Sequence, residues 1–272
     1  MQIQYESARK SENFPVASWL LPRAARAPIL AFYDFARGAD NIADDASRPA
    51  SERKAELQQL DAMLEKKDWA ALPDWAQAYG AMCQSGRMDA QHGRLLLRAF
   101  IQDTVKQRYD SWEELMLYCQ YSAAPVGQAV LYACGETTAD GMASDHLCYV
   151  LQVLNHLQDC KQDYMQLDRV YIPQRWMGEQ GVQDTALAKR KSSKALRKVQ
   201  RQMLDKCDQW LRLAEKLPPT LRSRRLRLEI RFILAIAHRL RHKLHKRDPL
   251  KQRVQLSKWD YARCFWKACN PS

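Results

Sequence analysis

Two stretches of this chain repeat one electrostatically awkward device. In PILAFYDFARGADNIADD, residues 28–45, Tyr33, Arg37, Asp40 and Asp44 are spaced i, i+4, i+7 and i+11. At about 100° per residue these four share one stripe of a helix. Gln152, Asn155, Asp159 and Asp163, spaced i, i+3, i+7 and i+11, form a second stripe. Carboxylates one turn apart repel by a few tenths of a kcal/mol on an exposed helix. Where water is excluded the cost is far larger unless a cation is present. The turns before both pairs are apolar, PILAFYDFA and CYVLQVL. The expectation is two buried helices facing each other across a bundle, with Mg²⁺ on the carboxylates and a diphosphate clamped between them. A lone DxxxD pair usually marks a solvated face. Two pairs, each with amides or arginine on the same stripe, point to a site.

Helical periodicity runs through most of the chain, and glycine is sparse at 9 residues. The pattern predicts an all-α chain, read as one domain over 1–272 and built as a helical bundle. Helices are expected at 28–45 with Pro28 in the first turn, at 51–67, 74–84 and 89–107. A capping box at Ser111 and Glu114 should start another that runs to Cys134 with a kink at Pro125. Ser144 or Asp145 should cap the next, which reaches Gln166, and Tyr171-Ile172-Pro173 should open a loop. Long helices at 186–215 and 220–245 and a short one in the tail complete the reading.

No run of about 18 apolar residues and no apolar signal core occurs, so the expected location is the cytoplasm. The eight cysteines form no CxxC pair, which argues against zinc. The net charge is +12, with the cations concentrated from Lys189 to Arg253. Such charge suits nucleic acid, anionic lipid or a polyanionic small substrate. No zinc module, RNP motif or helix-turn-helix pattern supports nucleic acid. Lys258, Trp259, Trp266 and Lys267 suit peripheral contact at the inner membrane surface, or else a tail helix packed on the bundle.

FARGADNIADD and NHLQDCKQDYMQLDRVYIP, with DTVKQRYDSWEELMLYCQYSAAPVG at 103–127, resemble the squalene and phytoene synthases. SENFPVAS, LRLEIRFILA and RVQLSKWDYARCFWKA are most similar to the hydroxysqualene-forming branch of the hopanoid pathway. The resemblance implies an all-α isoprenoid-synthase bundle with a central cavity. It implies Mg²⁺-dependent loss of diphosphate from presqualene diphosphate, cation rearrangement and water capture, without NADPH. Condensation of two farnesyl diphosphates and a non-catalytic assembly role are the alternatives. Implied partners are an enzyme that makes presqualene diphosphate and a later reductase.

Carried over residue by residue, the resemblance implies that Asp40, Asp44, Asp159 and Asp163 bind Mg²⁺ with help from Asn155. Ser11, Arg37, Lys106 and Arg108 would meet diphosphate oxygens, and Tyr109 and Tyr171 would donate hydrogen bonds to them. Tyr33, Gln152 and Arg169 complete the expected substrate-binding set, with Arg169 read alternatively as a surface charge. Tyr118 would lie near the reacting carbons, guiding a proton or stabilising the cation. Asn41, Gln158 and Glu12 depart from the family pattern. Small residues at Ala123 and Gly127 leave room for an isoprenoid chain, or else let two helices approach closely.

Overall fold

The computed structural model describes residues 20–270, and among these the regular structure is helical. Ser11 lies outside the described residues. Helices α1 (Arg23–Asp44), α2 (Ala50–Lys66), α3 (Gln77–Gln84) and α4 (Ala90–Asp103) come first. Next are α5 (Trp112–Ser122), α6 (Ala124–Ala133), α7 (Gly141–Leu167) and α8 (Gln174–Glu179). The last four are α9 (Lys194–Ala214), α10 (Leu217–Thr220), α11 (Arg224–Lys246) and α12 (Lys258–Cys269). One isolated parallel bridge joins Arg108 to Val170.

Apolar side chains at helical spacing explain the assembly. One cluster sets Phe32 and Phe35 of α1 against Leu57, Leu60 and Leu64 of α2 and Leu97 of α4. The larger cluster joins α7, α9 and α11 through residues such as Leu154, Met203 and Leu240. Each fully buried side chain of this size contributes about 1.5–3 kcal/mol.

Several expected boundaries are corrected. Helix α1 begins at Arg23, so Pro28 lies inside it. A proline there has no N–H for the Ala24 carbonyl. The Arg87 guanidinium donates to that carbonyl instead, at 2.7 Å. The helix expected from 111 to 134 is two helices, broken at Ala123 with φ −125° and ψ −49°. Pro125 then falls in the first turn of α6, where its missing N–H costs nothing. Ser111 does cap α5, accepting from Glu114 N–H at 3.2 Å. The Glu114 carboxylate turns away to Asp110 N–H, at 2.6 Å, and to Lys106.

Asp140, rather than Ser144 or Asp145, caps α7 by accepting from Ala143 N–H at 3.0 Å. Ser193 caps α9, which therefore starts later than expected, and Ser223 caps α11. The expected loop after Pro173 holds α8. Gly127 faces α7 so closely that a Cβ there would lie 2.6 Å from Ser144 Oγ. The close-approach reading of the small-residue stretch holds, and Ala123 and Gly127 also line the central cavity.

Candidate active site

A cavity of about 370 Å³ opens between α1 and α7. Its lining changes character along both helices. The N-terminal halves contribute Ile29, Phe32, Leu147 and Leu151, and α11 adds Ile230 and Ile233. Towards the C-terminal ends the lining becomes Tyr33, Arg37, Asp40, Gln152 and Asn155. The two sequence stripes thus share one cavity. Phe100 also lines it, whereas Phe35 and Trp112 belong to aromatic stacks in the core.

The remaining carboxylates continue both stripes past the cavity. Asp44 lines an adjoining chamber of about 310 Å³ with Arg53, Asp103 and Arg169. Arg169 is 6% exposed, which excludes the surface-charge alternative. Asp168 turns the chain with φ 51° at the end of α7. Arg169 N–H then bonds to Asp163 O at 3.1 Å, and Val170 N–H to Gln107 O at 2.8 Å. Fixed on both sides, the Arg169 guanidinium donates to Asp44 Oδ1 at 2.6 Å and to the Asp103 carbonyl at 3.2 Å.

Cations meet the other carboxylates as well. Arg37 donates to Asp40 at 2.8 Å. Arg253 reaches Asp159 with both ends of its guanidinium, the longer contact being 3.0 Å. Gln158 lies 2% exposed and donates to Val254 O at 2.5 Å, so it clips the Arg253 segment onto α7.

The site still carries excess acid. Five carboxyl groups, on Asp40, Asp44, Asp103, Asp159 and Asp163, stand against the four guanidiniums of Arg37, Arg53, Arg169 and Arg253. Burial and the neighbouring Asp159 push the Asp163 carboxyl up to about 8, and Asp44 on the opposite helix adds to the effect. The two walls therefore feel each other electrostatically. Asp44 also sits in the last turn of α1, where the helix dipole disfavours negative charge and the turn holds no basic residue of its own, so the offsetting cation, Arg169, comes from outside the helix.

All these donors are oxygens, which suits a hard divalent cation. Among the described residues no cluster of three or more His, Cys, Asp or Glu is tight enough to cage an ion unaided. The donor set fits an ion whose coordination is completed by water and substrate phosphate.

Beneath the carboxylates lies an aromatic stack. Tyr109 and Tyr171 stack with ring centroids 5.6 Å apart, Tyr118 packs on both, and His156 lies 3.7 Å from Tyr171. Tyr118 O–H donates to Asp103 at 2.8 Å and Tyr171 O–H at 3.5 Å, while Tyr109 Oη accepts from Gln102 at 3.2 Å. Burial raises Asp103 to about 7. Burial and then Arg169 lower His156 to about 3, so its ring is neutral. Tyr109 and Tyr171, expected as phosphate donors, are buried and bonded within the protein. A bond to phosphate requires each to change partner.

Lys106 and Arg108 are likewise committed. Lys106 pairs with Glu114, and Arg108 pairs with Asp168 at 2.7 Å and with Asp184. Both cations are partly exposed, so exchange to a phosphate is cheap. Sequence reasoning missed Asp103 and Arg253 as site residues. Asp103 opens the quoted 103–127 motif, but its role needs Tyr118 and Arg169 beside it. Arg253 is brought in by tertiary packing and has no local signal.

The family model described as squalene/phytoene synthase matches residues 7–260. A hydroxysqualene synthase from Sinorhizobium fredii (strain NBRC 101917 / NGR234) is 41% identical over 93% of this chain and 86% of its own length. One from Rhodopseudomonas palustris (strain ATCC BAA-98 / CGA009) is 38% identical over 94% and 87%. A solved squalene synthase from Alicyclobacillus acidocaldarius superposes with a TM-score of 0.75 at 25% identity, covering 90% of this chain and 92% of that one.

Proposed function

Since the chain belongs to the squalene/phytoene synthase family, we propose that it converts presqualene diphosphate to hydroxysqualene. It is an isoprenoid synthase, and its family acts on prenyl diphosphates. One observation carries the reading: a cavity with an apolar end turns polar along two facing helices, with Arg37, Asp40, Gln152 and Asn155 in its lining, and both stripes continue beyond it to Asp44, Asp159 and Asp163. The relatives named hydroxysqualene synthase guide the choice of substrate.

The substrate's isoprenoid chains would lie along Phe32, Leu147 and Ile230, with the diphosphate near Arg37, Asp40 and Asn155. Asp40, Asp44, Asn155, Asp159 and Asp163 would hold Mg²⁺, which when bound supplies Lewis-acid stabilisation of the leaving group's charge. The carbon–oxygen bond breaks and both electrons leave with diphosphate. Arg37, Arg169 and Arg253, each paired with a carboxylate, would exchange it for phosphate oxygens. The carbocation opens its three-membered ring beside the faces of Phe32 and Phe100, which favour positive charge. Water then adds its oxygen to carbon and loses a proton. No hydride enters, so the reaction needs no reductant. Tyr118 and Asp103 form a proton-holding pair, because a carboxyl that titrates near 7 can hold or accept a proton at neutral pH. Substrate and product both carry long apolar chains, so the reading includes a lipid surface that supplies one and receives the other.

The test is turnover of presqualene diphosphate with Mg²⁺ in ¹⁸O-water, without NADPH. Hydroxysqualene carrying ¹⁸O is expected. Presqualene diphosphate made from farnesyl diphosphate would move the enzyme to the condensing branch, and inactivity on both substrates would favour an assembly role.

A further inference from the structure

Helix α11 has the cavity on one side and α12 on the other. Ile230 and Ile233 face the cavity, while Phe232, Ala235 and Ile236 pack against α12. The inner face of α12 is firmly fastened. Asp260 accepts from Arg239 at 2.6 Å, from Ser257 N–H at 2.7 Å and from Lys243. Cys264 Sγ–H donates to the Ala235 carbonyl at 3.4 Å, and Phe265 meets Phe232 edge-on at 5.6 Å. This helix is therefore a fixed element of the fold.

Its outer face is unusual. Trp259 is 85% exposed and Trp266 is 68% exposed. Seven residues apart, they point the same way to within about 20°. Arg263 lies between them, Lys258 and Lys267 flank them, and all three are exposed. Asp260 is the helix's one acid and it is buried. From 247 to 270 there are six cations and two acids. The second acid, Asp248, is occupied by Ser192 and by Leu250 N–H. Large aromatic rings held outward on a rigid, cationic face mark an interaction surface. Indoles interleaved with lysine and arginine are the composition of helices that lie in a membrane interface.

We infer that α12 seats the protein on an anionic lipid surface through Trp259 and Trp266, with the α11 wall of the cavity directly behind. Nucleic acid fits less well. The two indoles stand about 10 Å apart along the axis, against a rise of about 3.4 Å between successive bases. The inference rests on the proposed function only for what the lipid supplies; the binding itself does not depend on it.

Co-sedimentation with phosphatidylcholine vesicles, with and without phosphatidylglycerol, tests this. Wild-type protein should bind the anionic vesicles, and brominated lipid should quench its tryptophan fluorescence. The double variant Trp259→Ala/Trp266→Ala should bind at least about tenfold more weakly, while turnover of detergent-dispersed presqualene diphosphate stays unchanged. Failure of the wild type to bind at low salt would overturn the inference. So would equal binding by the variant, or retention on duplex DNA in place of vesicles. A tryptophan-dependent dimer without vesicle binding would overturn it as well. Vesicle binding by a protein that is inactive on presqualene diphosphate would sink the functional reading and leave this one standing.

Discussion

Arg169 carries more of the site than any local sequence signal indicates. Its guanidinium holds Asp44 and two main-chain carbonyls, with Asp103 and Asp163 in its field. Arg169→Met leaves these carboxylates without their cation. Breaking a buried pair on one side costs about 3 kcal/mol or more, so urea denaturation should show a loss of that order. Asp103 gives a pH signature. Its carboxyl is raised from 3.8 in the unfolded chain to about 7 in the fold. The neutral form thus favours folding fully below about 3.8, and this contribution is lost as pH rises through about 7. Each pH unit inside that window changes stability by up to ~1.4 kcal/mol. Metal-free Asp103→Asn should show a flatter fall in Tm between pH 5 and 7 than wild type, whereas parallel curves would refute the assignment. Asp40, Asp44, Asp159 and Asp163 were legible because helical period alone places them. Asp103, Arg253 and the burial of Arg169 depend on contacts between segments far apart in sequence, which no local pattern encodes.

At the scale of elements, helix existence was legible and helix ends were not. The apolar period identified α1 and α7, but Pro28 read as a start because the period does not show that Arg87 would relieve its orphaned carbonyl. The α5–α6 break was read as a kink at Pro125, since the distortion lies two residues earlier at Ala123. Gly38 shows how packing overrides propensity on α1. A Cβ there would lie 2.3 Å from the Trp75 ring, and a rigid ring cannot step aside as a flexible side chain can. Gly→Ala in a helix ordinarily gains about 1 kcal/mol, while overpacking costs about 1–3 kcal/mol. Gly38→Ala should therefore lower Tm despite the better helix former. A raised Tm would mean that the Phe35–Trp75 contact is looser than the structure shows.

At the scale of the molecule, the assembly turns two unfavourable stripes into one site. Each pair of carboxylates would be costly alone, and the bundle sets the two within each other's field, just past the polar stretch of a cavity whose other end is apolar. The facing of the two walls was anticipated from the repeated device. The arginines that meet the carboxylates were anticipated only for Arg37, which lies on the same stripe as Asp40. If both walls act on one diphosphate, losing either wall should cost as much as losing both. The decisive measurement is Mg²⁺-dependent diphosphate release by Asp40→Ala, Asp159→Ala and the double variant, with helical content checked by circular dichroism. The expected result is folded proteins whose release falls ~10³-fold in each single variant, with little further loss in the double. Substantial release by either folded single variant would contradict it.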